Sequence, residues 1–283
     1  MSIKVDNLFY TYSPKTPFKF EALNGVSFEI KRHSYVAFIG STGSGKTTIV
    51  QHLNALLIPT KGTVQVGDYL IGPKKNKKLK GLKKHVGIVF QFPENQLFEE
   101  TVEKDVAFGP KNFGLKEPEA LKKAHEALKS VGLDESYFKR SPFELSGGEK
   151  RRVATAGILA IEPDILILDE PTAGLDPKGA TEIMGLIDKM HKNGTTIILV
   201  THDMDLVLKY VEQVFVVKDG LIIDEGIPAK IFSNISSDSG IEVPQIFSFS
   251  KRLQNAGFKI DVEKIKTVDD LVAQIVENKR QEK

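Results

Sequence analysis

The chain contains no cysteine. Disulfides and thiolate metal sites are therefore excluded, and the composition suits a cytoplasmic protein. No apolar run approaches the ~18 residues needed to cross a bilayer, so no membrane span is expected. The first residues, Met1-Ser2-Ile3-Lys4-Val5-Asp6, lack the basic-then-apolar order of a secretory signal. Charge of one sign is also missing. Lysine and arginine number 39 against 37 acidic residues, a formal net charge of +2, so nothing pulls the chain globally toward nucleic acid or anionic lipid. At 283 residues, 41% of them hydrophobic, the chain can bury a substantial core as one large domain or two.

The most informative stretch is Gly40-Ser41-Thr42-Gly43-Ser44-Gly45-Lys46-Thr47, which fits the phosphate-loop pattern G-x-x-x-x-G-K-[ST]. The apolar run Tyr35 to Ile39 precedes it and reads as a buried strand. Ile49, Val50, Leu53, Leu56 and Leu57 follow at helical spacing, so a helix is expected to run through them. The glycines let the backbone curl around a polyphosphate, and the loop amides and helix dipole face the anion. Lys46 can reach the β- and γ-phosphates and the Thr47 hydroxyl can ligate Mg²⁺, with Thr48 counted among the nucleotide-binding residues. The competing reading is a Gly/Ser turn that matches by chance.

Short strands are expected on either side. Ile3, Val5, Leu8 and Tyr10 come first; Val26, Phe28 and Ile30 alternate with polar residues after a turn at Asn24-Gly25. Thr63 to Val66 and Tyr69 to Ile71 predict a hairpin about Gly67-Asp68. Tyr12 either stacks on an adenine or packs as an edge-strand tyrosine. The lysine-rich stretch from Lys74 to Lys84 fits either a basic patch for nucleic acid or lipid headgroups or, more commonly, a solvated loop, and no aromatic residue interleaves with it. Val86 to Phe90 reads as a second buried strand ending at Gln91. From about 92 to 162 the pattern becomes helical, with Leu121, Ala124, Leu128 and Val131 on one stripe and Gly132 as a stop.

Ser146-Gly147-Gly148 can open a helix toward an anion, although a Ser-Gly-Gly step alone is no more than a cap. Ile165-Leu166-Ile167-Leu168-Asp169-Glu170 predicts a strand buried on both faces with two carboxylates at its C-terminal end. In a phosphate-loop protein Asp169 would hold Mg²⁺ and Glu170 would deprotonate a water, or both would cap a turn. Thr195 to Thr201 is a further core strand, after which His202 either donates to a γ-phosphate or serves structure alone. Val214 to Val217 and Leu221 to Ile223 close as a hairpin at Asp219-Gly220. Ser233 to Gly240 reads as a polar linker. Thr267 to Asp270 resembles a capping box before an apolar face of Val268, Leu271, Val272, Ile275 and Val276.

Taken in order, Tyr12, Gly40 to Thr47, Gln91, Leu145 to Gly148, Asp169-Glu170, Gly174-Leu175-Asp176 and His202 resemble the ATPase subunits of ABC transporters across positions 1 to about 230. The segment Phe90 to Phe98 and the run Glu149-Lys150-Arg151-Arg152-Val153-Ala154 are similar, more narrowly, to the second ATPase type of energy-coupling factor transporters. The ATPases of cobalt and nickel importers are similar too. The resemblance implies an α/β fold of the P-loop NTPase, ABC type. Its parts would be a RecA-like α/β core, an antiparallel β subdomain and a helical signature subdomain at about 92–162. An ATPase domain over 1–230 would precede a small helical or dimerisation appendage over 231–283.

The resemblance further implies an ATP hydrolase coupled to import of vitamins or other micronutrients, with ATP and Mg²⁺ as cofactors. Tyr12 would stack on adenine, and Thr47, Gln91 and Asp169 would serve the metal. Glu170 would be the base, His202 would stabilise the transition state, and Lys46 would hold the phosphates. Ser146, Gly147 and Gly148 would bind the γ-phosphate of a nucleotide held by a second, identical or homologous, ATPase subunit, with Asp176 at that interface. The remaining partners would be a transmembrane coupling subunit and a substrate-binding membrane subunit. The protein would lie peripherally on the cytoplasmic face of a bacterial cell membrane, and Glu94, Glu99 or Glu100 would receive an arginine from the coupling subunit. Nucleic acid is not expected as a partner, although a soluble ABC ATPase acting on nucleic acid or ribosomes is the alternative. Two departures stand out: Arg32-His33-Ser34 where Gly-Glu is usual, and Glu149 where Gln is commoner after the signature glycines.

Overall fold

The computed structural model describes residues 1–74, 76–235 and 240–281. Lys75 of the basic run and 236–239 of the expected linker lie outside the described residues. The chain order begins with β1 (Ile3–Tyr12), β2 (Phe20–Ile30), β3 (Tyr35–Ile39), α1 (Lys46–Leu53), β4 (Lys61–Val66) and β5 (Tyr69–Ile71). It continues with α2 (Leu82–His85), β6 (Val86–Val89), α3 (Val102–Asn112), α4 (Glu117–Ser130), α5 (Gly147–Leu159), β7 (Ile165–Asp169) and α6 (Pro177–Lys192). Then come β8 (Thr196–Val200), α7 (Met204–Tyr210), β9 (Gln213–Lys218), β10 (Leu221–Gly226), α8 (Pro228–Asn234), α9 (Gln245–Asn255) and α10 (Val268–Gln281).

The strands form a four-stranded sheet, β2-β1-β4-β5, and a six-stranded sheet, β10-β9-β3-β8-β7-β6. The first is antiparallel throughout. In the second, β9, β3, β8, β7 and β6 run parallel and β10 joins the edge antiparallel. The apolar runs of the parallel strands conceal a period of two. Tyr35, Ala37, Ile39, Leu166, Leu168, Ile197 and Leu199 point into a core shared with α3 to α7. The intervening Val36, Phe38, Ile165, Ile167, Ile198 and Val200 enter a second core against the antiparallel sheet. Both faces are covered, which is why these strands read as continuous hydrophobic runs. The parallel order places the C-terminal ends of β3, β8 and β7 side by side, with Phe38 opposite Val200 and Val200 opposite Asp169. Loops leaving those ends share one edge, where ligands sit in open α/β sheets.

The structure corrects several expectations. Asn24-Gly25 is not a turn; β2 runs through it as a bulge. Leu8 pairs with Val26 and Phe9 with Asn24, leaving Gly25 unpaired at φ 96°. A side chain there would strike the Phe9 ring at 3.0 Å. Helix α1 stops at Leu53, because Ala55 takes a left-handed conformation at φ 58° and the amides of Leu56 and Leu57 turn back to the Gln51 carbonyl. Leu56 is exposed as a result. The expected box at Thr267 is present: Asp270 Oδ2 accepts from the Thr267 amide at 2.8 Å and Thr267 Oγ1 accepts from the Asp270 amide at 3.3 Å. The apolar face behind it is only partly used, since Leu271 is 4% exposed whereas Val272 is 52% exposed. Phe232, Phe247, Ile260, Ile265 and Leu271 belong to the same core as α3 to α7. Among the described residues no helix is long and apolar enough to cross a membrane.

Candidate functional site

The loop between β3 and α1 folds as its glycines dictate. Gly40, Gly43 and Gly45 have φ of 147°, 80° and 109°. A Cβ on Gly40 would lie 2.1 Å from the Val217 carbonyl oxygen, so only glycine allows the loop to pass β9. Lys46, on the first turn of α1, curls over this loop and donates to the carbonyls of Gly40 and Ser41, each at 2.8 Å. Burial pulls its pKa down, and the carboxylates of Glu170 and Asp169 work against that shift. The loop faces an open cleft of about 180 Å³ lined by Phe20, Ala22, Gly43, Gly45, Lys46, Thr47 and Thr48. Ser41, Thr42 and Gly43 are exposed and Ser44 is buried. A larger surface groove, between the antiparallel sheet and β10, contains none of these residues.

Asp169 ends β7 and accepts from the Thr47 hydroxyl at 2.9 Å. Burial pushes its pKa up, the Thr47 hydrogen bond opposes this, and the charge of Glu170 adds to it. A buried carboxylate with a disfavoured charge, beside a hydroxyl, offers hard oxygen ligands of the kind a Mg²⁺ ion takes. A cation there would relieve what burial costs Asp169, so the residues fit that group.

Glu170 is turned out of the strand by a left-handed backbone, φ 51°. A non-glycine residue held so costs about 1–3 kcal/mol and needs fixing from outside. Its amide donates to the Val200 carbonyl at 2.8 Å. Its carboxylate accepts from Thr201 Oγ1 at 3.1 Å and from the His202 amide at 3.0 Å. His202 Nδ1 lies 2.7 Å from Glu170 Oε1. The glutamate side chain is 13% exposed and the histidine 80%, so the acid is aimed and the ring remains free to turn. Thr201, fully buried, was not singled out by the sequence. Its only signal is a hydroxyl residue at a strand end beside His202.

Tyr12, at the end of β1, reaches α1 through a 3.3 Å contact between its hydroxyl and Thr48 Oγ1. Its ring meets Tyr10 edge-on at 4.8 Å, and Tyr10 meets His52 edge-on at 4.7 Å. His52 Nδ1 lies 2.7 Å from the Thr48 carbonyl, while its Nε2 is buried with no hydrogen-bond partner among the described residues. Burial lowers the His52 pKa to about 4. This aromatic chain fastens Tyr12 to the phosphate-loop helix, and Tyr10 and His52 carried no motif to announce it.

The remaining expected residues stand apart from this cluster. Gln91 is exposed just after β6 and makes no side-chain hydrogen bond among the described residues. Ser146 caps α5 in a reciprocal box: its hydroxyl and amide both donate to Glu149 Oε2 at 2.8 Å. Tyr137 holds the other Glu149 oxygen at 2.8 Å. Ser146, Gly147 and Gly148 are exposed; the hydroxyl and amide of Ser146 go to Glu149, and its carbonyl accepts from the Lys150 amide at 2.9 Å. Asp176 is an exposed N-cap for α6, accepting from the Gly179 amide at 2.6 Å. Of the three acids expected to meet a partner, Glu100 pairs with Lys104 at 3.0 Å and Glu94 acts electrostatically on Arg151.

A family model described as ABC transporter matches residues 23–173. The chain is 54% identical over 260 residues to the energy-coupling factor transporter ATP-binding protein EcfA2 of Streptococcus pneumoniae serotype 2, covering 91% of this chain and 93% of that protein. It is 50% identical over 280 residues to the protein of that name from Enterococcus faecalis, covering 98% and 96%. Among solved structures it resembles cbiO1 of Clostridium perfringens, part of the ABC transporter complex cbiONQ. That match has a TM-score of 0.71 and 44% identity, covering 82% of this chain and 90% of that one. The ATP-binding cassette MJ0796, solved as a dimer in a post-hydrolysis state with ADP and Pi, matches with a TM-score of 0.72 and 31% identity, covering 80% and 98%.

Proposed function

From the premise that the chain belongs to the ABC transporter family, as an ATP-hydrolysing ATP-binding cassette, we propose that it is the ATPase subunit of an energy-coupling factor importer. The importer would take up vitamins or other micronutrients through membrane partners. The observation that carries this reading is the clamp on Glu170 by Thr201 and His202, beside the Lys46–Thr47–Asp169 group. A carboxylate so aimed beside a phosphate loop is placed to activate water at a terminal phosphate.

Tyr12 stacks on the adenine, while Lys46 and the amides of Gly40 to Thr48 hold the polyphosphate. Thr47 and Asp169, with Gln91, would hold Mg²⁺, which when bound neutralises charge on the phosphates. Glu170 takes the proton of the attacking water. His202 turns from Glu170 to donate to the γ-phosphate. Ser146, Gly147 and Gly148 serve a nucleotide carried by a second ATPase subunit, identical or homologous, and Asp176 lies at that interface. ATP thus joins two subunits and hydrolysis lets them part, a change that a transmembrane coupling subunit and a substrate-binding membrane subunit would use.

The division into an ATPase domain over 1–230 and an appendage over 231–283 is proposed from the change to helices after β10. Peripheral attachment to the cytoplasmic face of the membrane follows from partnership with membrane subunits. The relatives are described as transporter proteins, which does not favour the soluble nucleic-acid alternative. Substitution Glu170→Gln tests the reading. Steady-state phosphate release should fall ~10²- to 10⁴-fold while ATP binding persists. Turnover at the native rate would place the base elsewhere.

A further inference from the structure

Arg151 is the buried member of the basic run Lys150-Arg151-Arg152, at 6% exposed. It lies on α5, one turn beyond the Ser146 cap. Among the described residues its guanidinium makes no salt bridge to a carboxylate. Instead Nη2 donates to the Glu170 carbonyl at 2.8 Å, and Nη1 donates to the Ala173 carbonyl. Burial pulls its pKa down, and the charge of Glu94 opposes this. Glu94 Oε2 is itself buried, with no hydrogen-bond partner among the described residues. A buried guanidinium spent on two backbone carbonyls is costly unless the geometry it enforces matters.

That geometry is the left-handed backbone of Glu170. Its amide and side chain are anchored on β8 and the two residues after it, through Val200, Thr201 and His202. Its carbonyl is anchored on α5 through Arg151. The N-terminus of the same helix presents Ser146, Gly147 and Gly148. One rigid element therefore touches the backbone of the base in one site and the signature that serves the other.

We propose that Arg151 is a positioning residue: it holds Glu170 at its productive angle and makes the base in one site responsive to engagement of the signature in the other. A planar fork suits this role, because its two Nη nitrogens, held in one plane, each meet a carbonyl of a separate residue. Lysine carries all its donors on one flexible nitrogen and cannot reproduce two donor nitrogens at a fixed spacing. This inference rests on Glu170 being the base.

The test uses the assembled ATPase pair with Arg151→Lys and Arg151→Gln. Arg151→Gln should lower kcat at least roughly tenfold with KM for ATP changed less than about twofold, and Arg151→Lys should fall between it and the native chain. In a Glu170→Gln background, Arg151→Gln should lower residual turnover no further, because both changes act through one group. Binding of a fluorescent ATP analogue verifies that each variant is folded. If Arg151→Gln does not fold, Arg151→Lys decides the matter through the same kcat and KM readings. Native kcat in the folded variants, a loss confined to KM, or full additivity with Glu170→Gln overturns the proposal. Native turnover in Glu170→Gln itself would fell the base assignment instead, whereas an inactive Glu170→Gln beside native Arg151 variants would fell this inference alone.

Discussion

The phosphate-loop side of the molecule and its signature side are built differently. On the first, side chains from α1, from β7 and from the residues just after β7 and β8 close on one another: Thr47 with Asp169, and Glu170 with Thr201 and His202. On the second, the hydroxyl and amide of Ser146 are spent on Glu149 within its own helix cap. One side is a cluster of interlocked polar side chains, while the other is an exposed helix terminus. The difference is what the proposed reading expects of two half-sites completed by a second chain. Substitutions on the two sides should therefore fail in different ways.

The largest contrast after Glu170 is expected at Lys46. Removing a preorganised charged donor typically costs ~10²- to 10³-fold in rate. Lys46→Ala should do so and should also weaken ATP binding by the isolated chain, measured by nucleotide fluorescence. Undiminished binding would mean that the loop amides suffice. Next comes acid sensitivity, which should belong to the phosphate-loop side through His52. Its folded pKa of about 4 lies below the ordinary histidine value, so the unfolded chain binds the extra proton first. Stability from this residue is full above about pH 6.5 and is lost as pH falls toward 4, by an amount on the order of 3 kcal/mol. Urea midpoints between pH 7 and 4.5 should drop for the native chain and drop less for His52→Leu; equal slopes would refute the assignment. Smaller still is Ser146→Ala. Losing one hydroxyl should slow turnover of the pair roughly tenfold. ATP binding by the single chain should be unaffected, and a loss there would erase the distinction between the two sides.

How much of this was legible in the sequence depended on how local the signal was. Gly40 to Thr47 and Asp169-Glu170 show as local patterns because backbone conformation and chemistry are both read from adjacent residues, whereas His202 by itself reads equally as a structural residue and takes a role only from the resemblance. The buried strands were readable for the same reason, and their division between two cores followed from the pleat. Arg151 was not, because a buried arginine between Lys150 and Arg152 has the same pattern as a solvated charge run. Only the fold brings it to the Glu170 carbonyl. Tyr10 and His52 were hidden likewise, being an ordinary strand residue and an ordinary helix residue until β1 packs on α1. Gly25 misled in the other direction. Asn-Gly is a strong turn signal, yet pairing with β1 absorbed it as a bulge. At the C-terminus the periodicity of α10 was real, but packing engaged Leu271 and left Val272 outside.

The claim that a nucleotide is held between two chains, one giving the phosphate loop and the other Ser146 to Gly148, is most directly tested by mass. Light scattering on Glu170→Gln, alone and mixed with a second ATPase chain, should report a dimer when ATP is present and its loss when ATP is withdrawn. Substituting Ser146→Arg should abolish that dimer. A particle that stays monomeric at saturating ATP in both mixtures, or a dimer indifferent to Ser146→Arg, would contradict the account.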